Sequence, residues 1–175
     1  MDALHGMQPL RLHCMDHLTL CYNGEIYNAP MVGEAYGFKY ETGCDGEAAM
    51  HLYNKGGMDF MVRQLDGVFA LCILDTERRK VFLARDLYGV RPLFRVATED
   101  GFLAFCSEAK GLTEISLNGK SRIEPFPPGH YEEYDLDPHG KAILVKRVQY
   151  RSVGDVPGFI TLPVTPTAGD MFATI

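Results

Sequence analysis

An α+β fold built mainly from antiparallel strands is the fold class that the sequence predicts. Several runs of strand length are apolar and end at turn residues, and short charged or Pro-Gly segments join neighbouring runs as in hairpins. The predicted strands and helices do not alternate regularly along the chain, which argues against a parallel sheet. The chain has 175 residues, 46% of them hydrophobic, so its length and composition fit one domain with a core.

The predicted strands are recognised by apolar residues between turn signals. The run at 68–74 is apolar throughout, as is usual for a strand buried on both faces, although its periodicity also fits a buried helix. The run at 80–85 follows a charged turn, so the two runs are predicted to form a hairpin. The Pro and Gly at 137–140 suit a second turn between paired strands. In chain order, the predicted strands are 18–22, 68–74, 80–85, 102–106, 131–136 and 142–148.

One helix is predicted at 47–55, and a second helical stripe follows it. Asp45 precedes the first helix as a candidate N-cap, because its carboxylate can accept hydrogen bonds from the first free backbone N–H groups. Gly56 and Gly57 supply the stop signal. The apolar residues that follow recur at helical spacing and are predicted to face the core. They are Met58, Met61, Val62 and Leu65.

The charge balance and the hydropathy exclude two classes of partner. With 17 Lys and Arg against 23 Asp and Glu, the formal net charge is −6, which argues against a nucleic-acid-binding surface. No apolar run approaches the ~20 residues that span a bilayer, so no membrane association is predicted. The segment 1–6 lacks the basic and apolar regions of a signal peptide. A cytosolic (cytoplasmic) location is therefore the expectation.

The cysteines predict neither a disulfide framework nor a metal site. There are five of them, and none forms a C-x-x-C pair. Cys72 and Cys106 lie in apolar runs and are predicted to be buried free thiols. His13, Cys14 and His17 would approach one metal ion only in a local helix, and no second ligand pair accompanies them.

The segment 18–28 carries the most informative polar pattern in the chain. An apolar strand leads into Asn23 and Gly24, which are followed by Glu25 and a second asparagine, Asn28. One interpretation is a hairpin turn, which Asn-Gly pairs favour. The other is an oxyanion hole, in which the Asn23 amide and the Gly24 N–H converge on a developing negative oxygen. The residues alone leave both interpretations open.

Five motifs, the first of which belongs to this segment, occur in the same order as in a known protein family. They are Tyr22-Asn23-Gly24-Glu25-Ile26-Tyr27-Asn28, Cys44-Asp45-Gly46-Glu47, Leu65-Asp66-Gly67-Val68-Phe69-Ala70, Arg85-Asp86-Leu87-Tyr88-Gly89-Val90-Arg91-Pro92-Leu93-Phe94 and Cys106-Ser107-Glu108-Ala109-Lys110-Gly111-Leu112. This series resembles the glutaminase domain of glutamine-hydrolysing asparagine synthetases, which are class II glutamine amidotransferases. The resemblance implies an N-terminal-nucleophile (Ntn) hydrolase fold, an αββα sandwich of two antiparallel sheets between helical layers.

The resemblance also implies an activity and a set of site residues. Members hydrolyse glutamine to glutamate and ammonia, and the ammonia passes to a second domain that amidates aspartate with ATP and magnesium. Asn23 and Gly24 would form the oxyanion hole, and Asn23, Gly24, Glu25 and Asp45 would bind glutamine. Asp45 would receive the α-ammonium group of the substrate, a pairing that fixes orientation as well as affinity.

Arg85, Asp86 and Arg91 belong to the longest of the five motifs. Charged residues at surface turns are usually structural, so these three are predicted to brace the turn after a strand or to face another domain.

The chain also departs from the family pattern, and the departures lead to three expectations. Members carry a cysteine directly after the initiator methionine, and the free α-amine of that cysteine is the base for its own thiol. In this sequence, Asp2 stands at that position. We therefore expect the chain as given to have no glutaminase activity. The N-terminal strands of the sandwich and the synthetase domain are expected to be missing, so that no cofactor is expected here and ATP and magnesium would belong to that other domain.

The expected domain organisation follows from the same comparison. Residues 1–157 would form a partial class II amidotransferase domain, and 158–175, which contain Pro and Thr, would form a poorly ordered tail. The expected partners are glutamine and, beyond it, an intact asparagine synthetase or a second copy of the chain, because incomplete sheets expose edges. A non-catalytic glutamine-binding or interaction module is the alternative, and a related amidotransferase of another substrate is a further one.

Overall fold

The computed structural model describes residues 7–116 and 121–155. Nine strands and three helices lie in these two ranges. In chain order they are β1 (Leu10–Leu12), β2 (Met15–Ile26), α1 (Ala29–Tyr36), α2 (Gly46–Gln64), β3 (Gly67–Asp75), β4 (Lys80–Arg85), β5 (Phe94–Ala97), β6 (Leu103–Cys106), α3 (Thr113–Ser116), β7 (Glu124–Pro125), β8 (His130–Leu136) and β9 (Ala142–Gln149). Short 3-10 helices lie at Ala109–Leu112 and Val153–Asp155.

The strands form two antiparallel sheets. The larger sheet has the order β1-β2-β3-β4-β8-β9, and the smaller one has the order β6-β5-β7. Helices α1 and α2 cover one face of the larger sheet, where a core cluster joins α2 to β2, β3 and β4. The predicted α+β class with antiparallel sheets is therefore confirmed.

The space between the two sheets holds a second and smaller core. Ala70, Cys72 and Leu83 of the larger sheet meet Leu93 and Phe126, which flank strands of the smaller sheet. A charged contact accompanies it, because Arg95 Nε on β5 lies 3.2 Å from the fully buried Glu132 carboxylate on β8. Both sheets are thus joined by apolar packing and by an ion pair of opposite charges.

Strand β2 is longer than the predicted strand and corrects one interpretation of the Asn-Gly pair. It pairs with β3 from Leu18↔Asp75 through to Ile26↔Gly67 without interruption. Asn23 and Gly24 therefore lie inside the strand, and the hairpin-turn interpretation is wrong. Nine consecutive cross-strand pairs outweigh the turn preference of a single Asn-Gly dipeptide.

Helix α2 corrects a second prediction. It begins at Gly46 and reaches Gln64, with a break at Gly57, whose φ of 77° is left-handed. The glycines therefore interrupt the helix, as predicted, but a second helical segment follows directly and carries the apolar stripe. Asp45 has helical backbone angles and its side chain makes no capping hydrogen bond, so the predicted N-cap role is wrong.

The remaining elements agree with the sequence in part. Strands β3, β4, β6, β8 and β9 fall on the predicted runs, and the four stripe residues are at most 5% exposed. Helix α1 and the short strands β1, β5 and β7 were not predicted. Cys72 is buried as predicted, whereas Cys106 is only partly buried. Among the described helices, none combines the length and the apolar character that crossing a bilayer requires. The predicted tail at 158–175 lies outside the described residues.

Candidate functional site

The outer edge of β2 is where the predicted site residues meet. Strand β1 pairs with β2 only as far as Leu20, and side chains from elsewhere take up the next backbone N–H groups along this edge. Tyr22 donates its N–H to Gln8 Oε1 at 2.7 Å, and Ile26 donates its N–H to Asp45 Oδ2 at 2.6 Å. Since backbone groups of a strand alternate in direction, the N–H of Gly24 points out of the same edge, between these two contacts.

Gly24 allows the two strands to approach closely at this point. Its φ is +151°, and a Cβ atom built there would lie 2.0 Å from the carbonyl oxygen of Val68 on β3. A side chain at this position would clash with the backbone of the neighbouring strand. Glycine is therefore required here by packing as well as by any role of its N–H group.

Asp45 reaches the edge from the side of the helices, and both of its carboxylate oxygens accept hydrogen bonds. Oδ1 accepts from the Tyr22 hydroxyl at 2.5 Å, and Oδ2 accepts from Ile26 N–H. The pKa of Tyr22 is raised, first by burial and then by the hydrogen bond to Asp45, so Tyr22 stays a donor. Gly46 makes room for this ring, because a Cβ there would lie 2.6 Å from it. The Cys44 thiol also donates to Oδ1 at 3.8 Å, so the carboxylate is fixed on the edge and Oδ2 keeps a lone pair for a ligand.

The loop that carries Asp45 is held by a buried carboxylate. Glu47 is fully buried and accepts from the N–H groups of Glu41 and Thr42, both at 2.6 Å, and from the Thr42 hydroxyl. Sequence reasoning did not find this role, although Glu47 lies in the motif that contains Asp45. Its signal is a carboxylate at the start of a helix that continues into apolar residues.

Asn23 approaches the same edge from the opposite face of the sheet. Its side chain lies on the side of the smaller sheet and is exposed, and its Nδ2 donates to Ser107 Oγ at 3.2 Å. One N–H of the Asn23 amide then remains for a ligand. Both residues line a cavity of about 190 Å³ whose wall includes Leu93 and Cys106. Ser107 is a further site residue that sequence reasoning missed, although it lies in the last of the quoted motifs.

The four predicted residues therefore surround one strand edge and approach it from different faces. The Asn23 amide and the exposed Glu25 carboxylate lie on one face, the Gly24 N–H points outward, and the Asp45 carboxylate is on the other face. Two N–H donors next to two carboxylates suit a ligand with a carbonyl or oxyanion at one end and a cation at the other. Tyr22 connects the two faces, because it lines the cavity beside Asn23 and also binds Asp45.

The described cysteines differ in their access to this edge. All five are free, and Cys21, Cys72 and Cys106 line the cavity that Asn23 shares. Burial raises the pKa values of the Cys21 and Cys72 thiols, which disfavours the thiolate that a nucleophile needs. Across 7–116 and 121–155 we find no group of three or more His, Cys, Asp or Glu that is arranged to hold a metal ion.

Arg85 and Asp86 organise the connection after β4, in agreement with the predicted bracing role. The Arg85 guanidinium donates to the carbonyl oxygens of Gly89, Arg91 and Phe126, each at 2.7 Å. Asp86 is 1% exposed, and its carboxylate accepts backbone N–H groups on both sides of the connection. The donors are Phe69, Tyr88, Val90 and Arg91. These contacts fix the strand ends beside the site.

Comparison with known families now defines the class of this protein. Residues 1–140 match the family model described as the glutamine amidotransferase domain. The chain belongs to this family.

Within this family, the chain is most informatively compared with individual relatives. The chain is 55% identical over 158 residues to the glutamine-hydrolyzing asparagine synthetase of Gallus gallus, and 53% identical over the same length to that of Homo sapiens. Each match covers 89% of this chain and 28% of the relative. The chain thus spans a little over a quarter of the length of the curated relatives that it matches.

Solved structures support the fold. A glutamine phosphoribosylpyrophosphate amidotransferase from B. subtilis, complexed with ADP and GMP, superposes with a TM-score of 0.60 at 22% identity, covering 77% of this chain and 29% of that one. An allosteric regulatory enzyme of purine biosynthesis gives 0.65 at 22% identity, with 84% and 32% covered. The predicted Ntn-hydrolase-like sandwich is confirmed at the level of fold.

Proposed function

We propose that the outer edge of β2 binds glutamine, with Asn23 and Gly24 facing the side-chain amide and Asp45 facing the α-ammonium group. The observation that carries this proposal is the outward N–H of Gly24, which lies between an amide on one face and a fixed carboxylate on the other. The donors suit the carbonyl oxygen of an amide, and the carboxylate suits an ammonium group. Glu25 adds a second negative charge to the same edge, on the face that carries Asn23.

We further propose that the full-length protein carries out the reaction that its relatives' name states. Glutamine-derived ammonia would amidate aspartate in a synthetase domain, and that domain would bind ATP and magnesium. The similarity to asparagine synthetases over 89% of this chain supports the proposal. We expect this protein to work in the cytosol.

For the 175-residue chain as given, we propose glutamine binding without hydrolysis. An Ntn nucleophile needs a thiol beside a free α-amine, and each of the five cysteines in this sequence has an acylated backbone nitrogen. Burial also opposes ionisation of the Cys21 and Cys72 thiols, which lie nearest to Asn23 along the sheet. Glutamate release from glutamine that stops with a cysteine-directed glutamine analogue would contradict this proposal.

Calorimetric titration with glutamine tests the binding proposal. Asp45→Asn removes the negative charge but keeps the shape, so it should weaken glutamine affinity by ~10-fold or more, the usual value of a charge-assisted hydrogen bond. Asp16→Asn is the matched control, because the Asp16 side chain is 97% exposed and lies at the far end of β2. Equal affinities of the two variants would contradict the assigned role of Asp45.

The alternative is an interaction module that pairs with an intact synthetase or with itself. One observation favours it, since β9 is an edge strand of the larger sheet and three consecutive apolar residues on it are about half exposed. They are Ile143, Leu144 and Val145. Absence of heat at millimolar glutamine would leave this alternative in place of the binding proposal.

A further inference from the structure

Two cysteines that the proposed glutamine site does not use face each other across β2 and β3. Cys21 and Cys72 are direct cross-strand neighbours. Tyr22 and Ile26 turn their N–H groups away from β3, so the residues that alternate with them along the strand, including Cys21, direct their N–H groups towards β3. Opposite residues of this kind have Cα atoms about 5.5 Å apart and side chains on the same face of the sheet. The two thiols therefore form a cross-strand pair.

An apolar cavity opens directly in front of this pair. It has a volume of about 540 Å³, lies between the two sheets, and has both sulfur-bearing side chains in its wall. Val81, Leu103 and Phe105 supply apolar surface next to them. Cys72 is 8% exposed and Cys21 is partly buried, so a small apolar molecule in the cavity reaches both. A volume of this size is within the usual range of small-molecule sites.

The surroundings of the thiols select the type of chemistry. Burial raises the pKa of both thiols, and the nearby Cys21 raises that of Cys72 further. Reactions that need a free thiolate are therefore disfavoured, and so is any ligand that leaves a charge next to the two sulfurs. A reaction whose product is neutral avoids placing a charge beside the buried sulfurs. Binding of one centre by both sulfurs is also favoured, because two thiols held on one rigid sheet act as a chelate.

We propose that Cys21 and Cys72 form a dithiol site for a soft thiophilic centre that carries an apolar substituent, such as a monosubstituted trivalent arsenical. In the reaction, R–As=O and two S–H groups give R–As(S)₂ and one water. Two As–S bonds form, the As=O bond breaks, and the oxygen leaves as water with both thiol protons. The oxidation state of arsenic does not change. The substituent R occupies the apolar cavity, and the neutral product carries no charge into it.

Phenylarsine oxide added to the full chain tests this site without any variant. After treatment, the other thiols are blocked with N-ethylmaleimide, the arsenical is released with an excess of dithiol, and the released cysteines are labelled and mapped by mass spectrometry. We expect one arsenical per chain and label on Cys21 and Cys72 alone. Label spread over Cys14, Cys44 or Cys106, or an absence of adduct, would overturn the proposal.

Single variants then test the chelate. Cys21→Ala and Cys72→Ala should each weaken phenylarsine oxide binding by about 100-fold, the loss expected when a second tethered contact is removed. Cys106→Ala is the matched control, because Cys106 lines the smaller cavity with both residues but lies on the other sheet. It should bind as the parent chain does. Equal affinity in all three variants would show that the cross-strand pair is not the site.

Discussion

At the scale of single residues, the geometry of the candidate site depends on a few individual atoms. Gly24 is one of them, since its missing side chain lets β2 approach β3 while its N–H points outward. Asp45 is another, because both of its oxygens are tied to β2 by hydrogen bonds that the sequence gives no means of foreseeing. The roles proposed for these residues came from a motif, whereas their geometry came from contacts between distant parts of the chain.

Replacing Gly24 by alanine should destabilise the fold strongly. The added Cβ would lie 2.0 Å from the Val68 carbonyl oxygen, which belongs to a backbone that is held by its own strand pairing. We expect a loss of ~3 kcal/mol or more in the free energy of unfolding, at the upper end of overpacking penalties, measured by urea denaturation. Gly140→Ala is the control, because Gly140 also has a positive φ, +81°, but no atom lies within 4 Å of the added Cβ. It should lose only ~1 to 2 kcal/mol.

Glu41 should make the stability of the fold measurably dependent on pH in the acid range. The Cys14 thiol, followed by the N–H groups of Cys14 and His13, lowers the pKa of Glu41 from 4.5 to about 2. Because the folded-state pKa is the lower one, this stabilisation is complete above pH 4.5 and is lost as the pH falls towards about 2. In Glu41→Gln, the melting temperature should depend less on pH across this window. Glu99→Gln, at another exposed position, should follow the parent curve, and a parental slope in Glu41→Gln would contradict the assignment.

At the scale of elements, long apolar runs were predicted well and short or polar ones were not. The run at 68–74 lies in β3 because its apolar residues are buried or partly buried on both faces of the sheet, so the local sequence was enough to predict it. Helix α1 was missed although Asn28 and Pro30 are ordinary start signals, because it has only eight residues and so offers little apolar periodicity to detect. The end of β2 was misjudged because pairing with β3 overrides the Asn-Gly preference.

Much of the candidate site could be named from the sequence, but its arrangement could not. The motifs supplied Asn23, Gly24, Glu25 and Asp45. They did not indicate that Asn23 and Asp45 approach the edge from opposite faces, because a face is set by strand register. Nor did they indicate Ser107, which lies 84 residues from Asn23 along the chain and meets it only after the two sheets stack.

Asp86 should contribute strongly to the stability of the fold, because it connects neighbouring elements. Its buried carboxylate accepts N–H groups from both β3 and the connection that leads to β5. Asp86→Asn would place an amide N–H group against some of these donors, so we expect a loss of ~3 kcal/mol or more in the free energy of unfolding. Asp137→Asn is the control, since Asp137 accepts the N–H groups of His139 and Lys141 in a turn open to solvent. A smaller effect at Asp86 than at Asp137 would contradict its structural role.

At the scale of the whole molecule, two antiparallel sheets are joined by a small core and by the Arg95–Glu132 ion pair. The larger sheet ends at β9, whose backbone edge and exposed apolar residues can pair with another chain. The expectation that the chain associates with a second copy of itself is still a prediction, and β9 is the surface on which we expect this association.

Self-association should depend on β9. Leu144 is 46% exposed, and Leu144→Glu places a charge on the edge, which is a common protection against strand pairing. We expect multi-angle light scattering to give a concentration-dependent mass above one chain for the parent and a monomer for Leu144→Glu. Met31→Glu serves as the matched control, because it also replaces an exposed apolar residue by a charge but lies on α1, where Met31 is 71% exposed. A sharp parental monomer at all concentrations, with cooperative melting, would contradict this prediction.

The central claim is that glutamine binds along the outer edge of β2, and amide chemical shifts measured by NMR during a glutamine titration test it most directly. The account predicts that the Gly24 and Glu25 backbone amides and the Asn23 side-chain amide shift together, with one dissociation constant, and that this constant rises by ~10-fold or more in Asp45→Asn. Saturating glutamine that leaves these three amides unmoved, or that shifts only amides of α1 and β9, would contradict it.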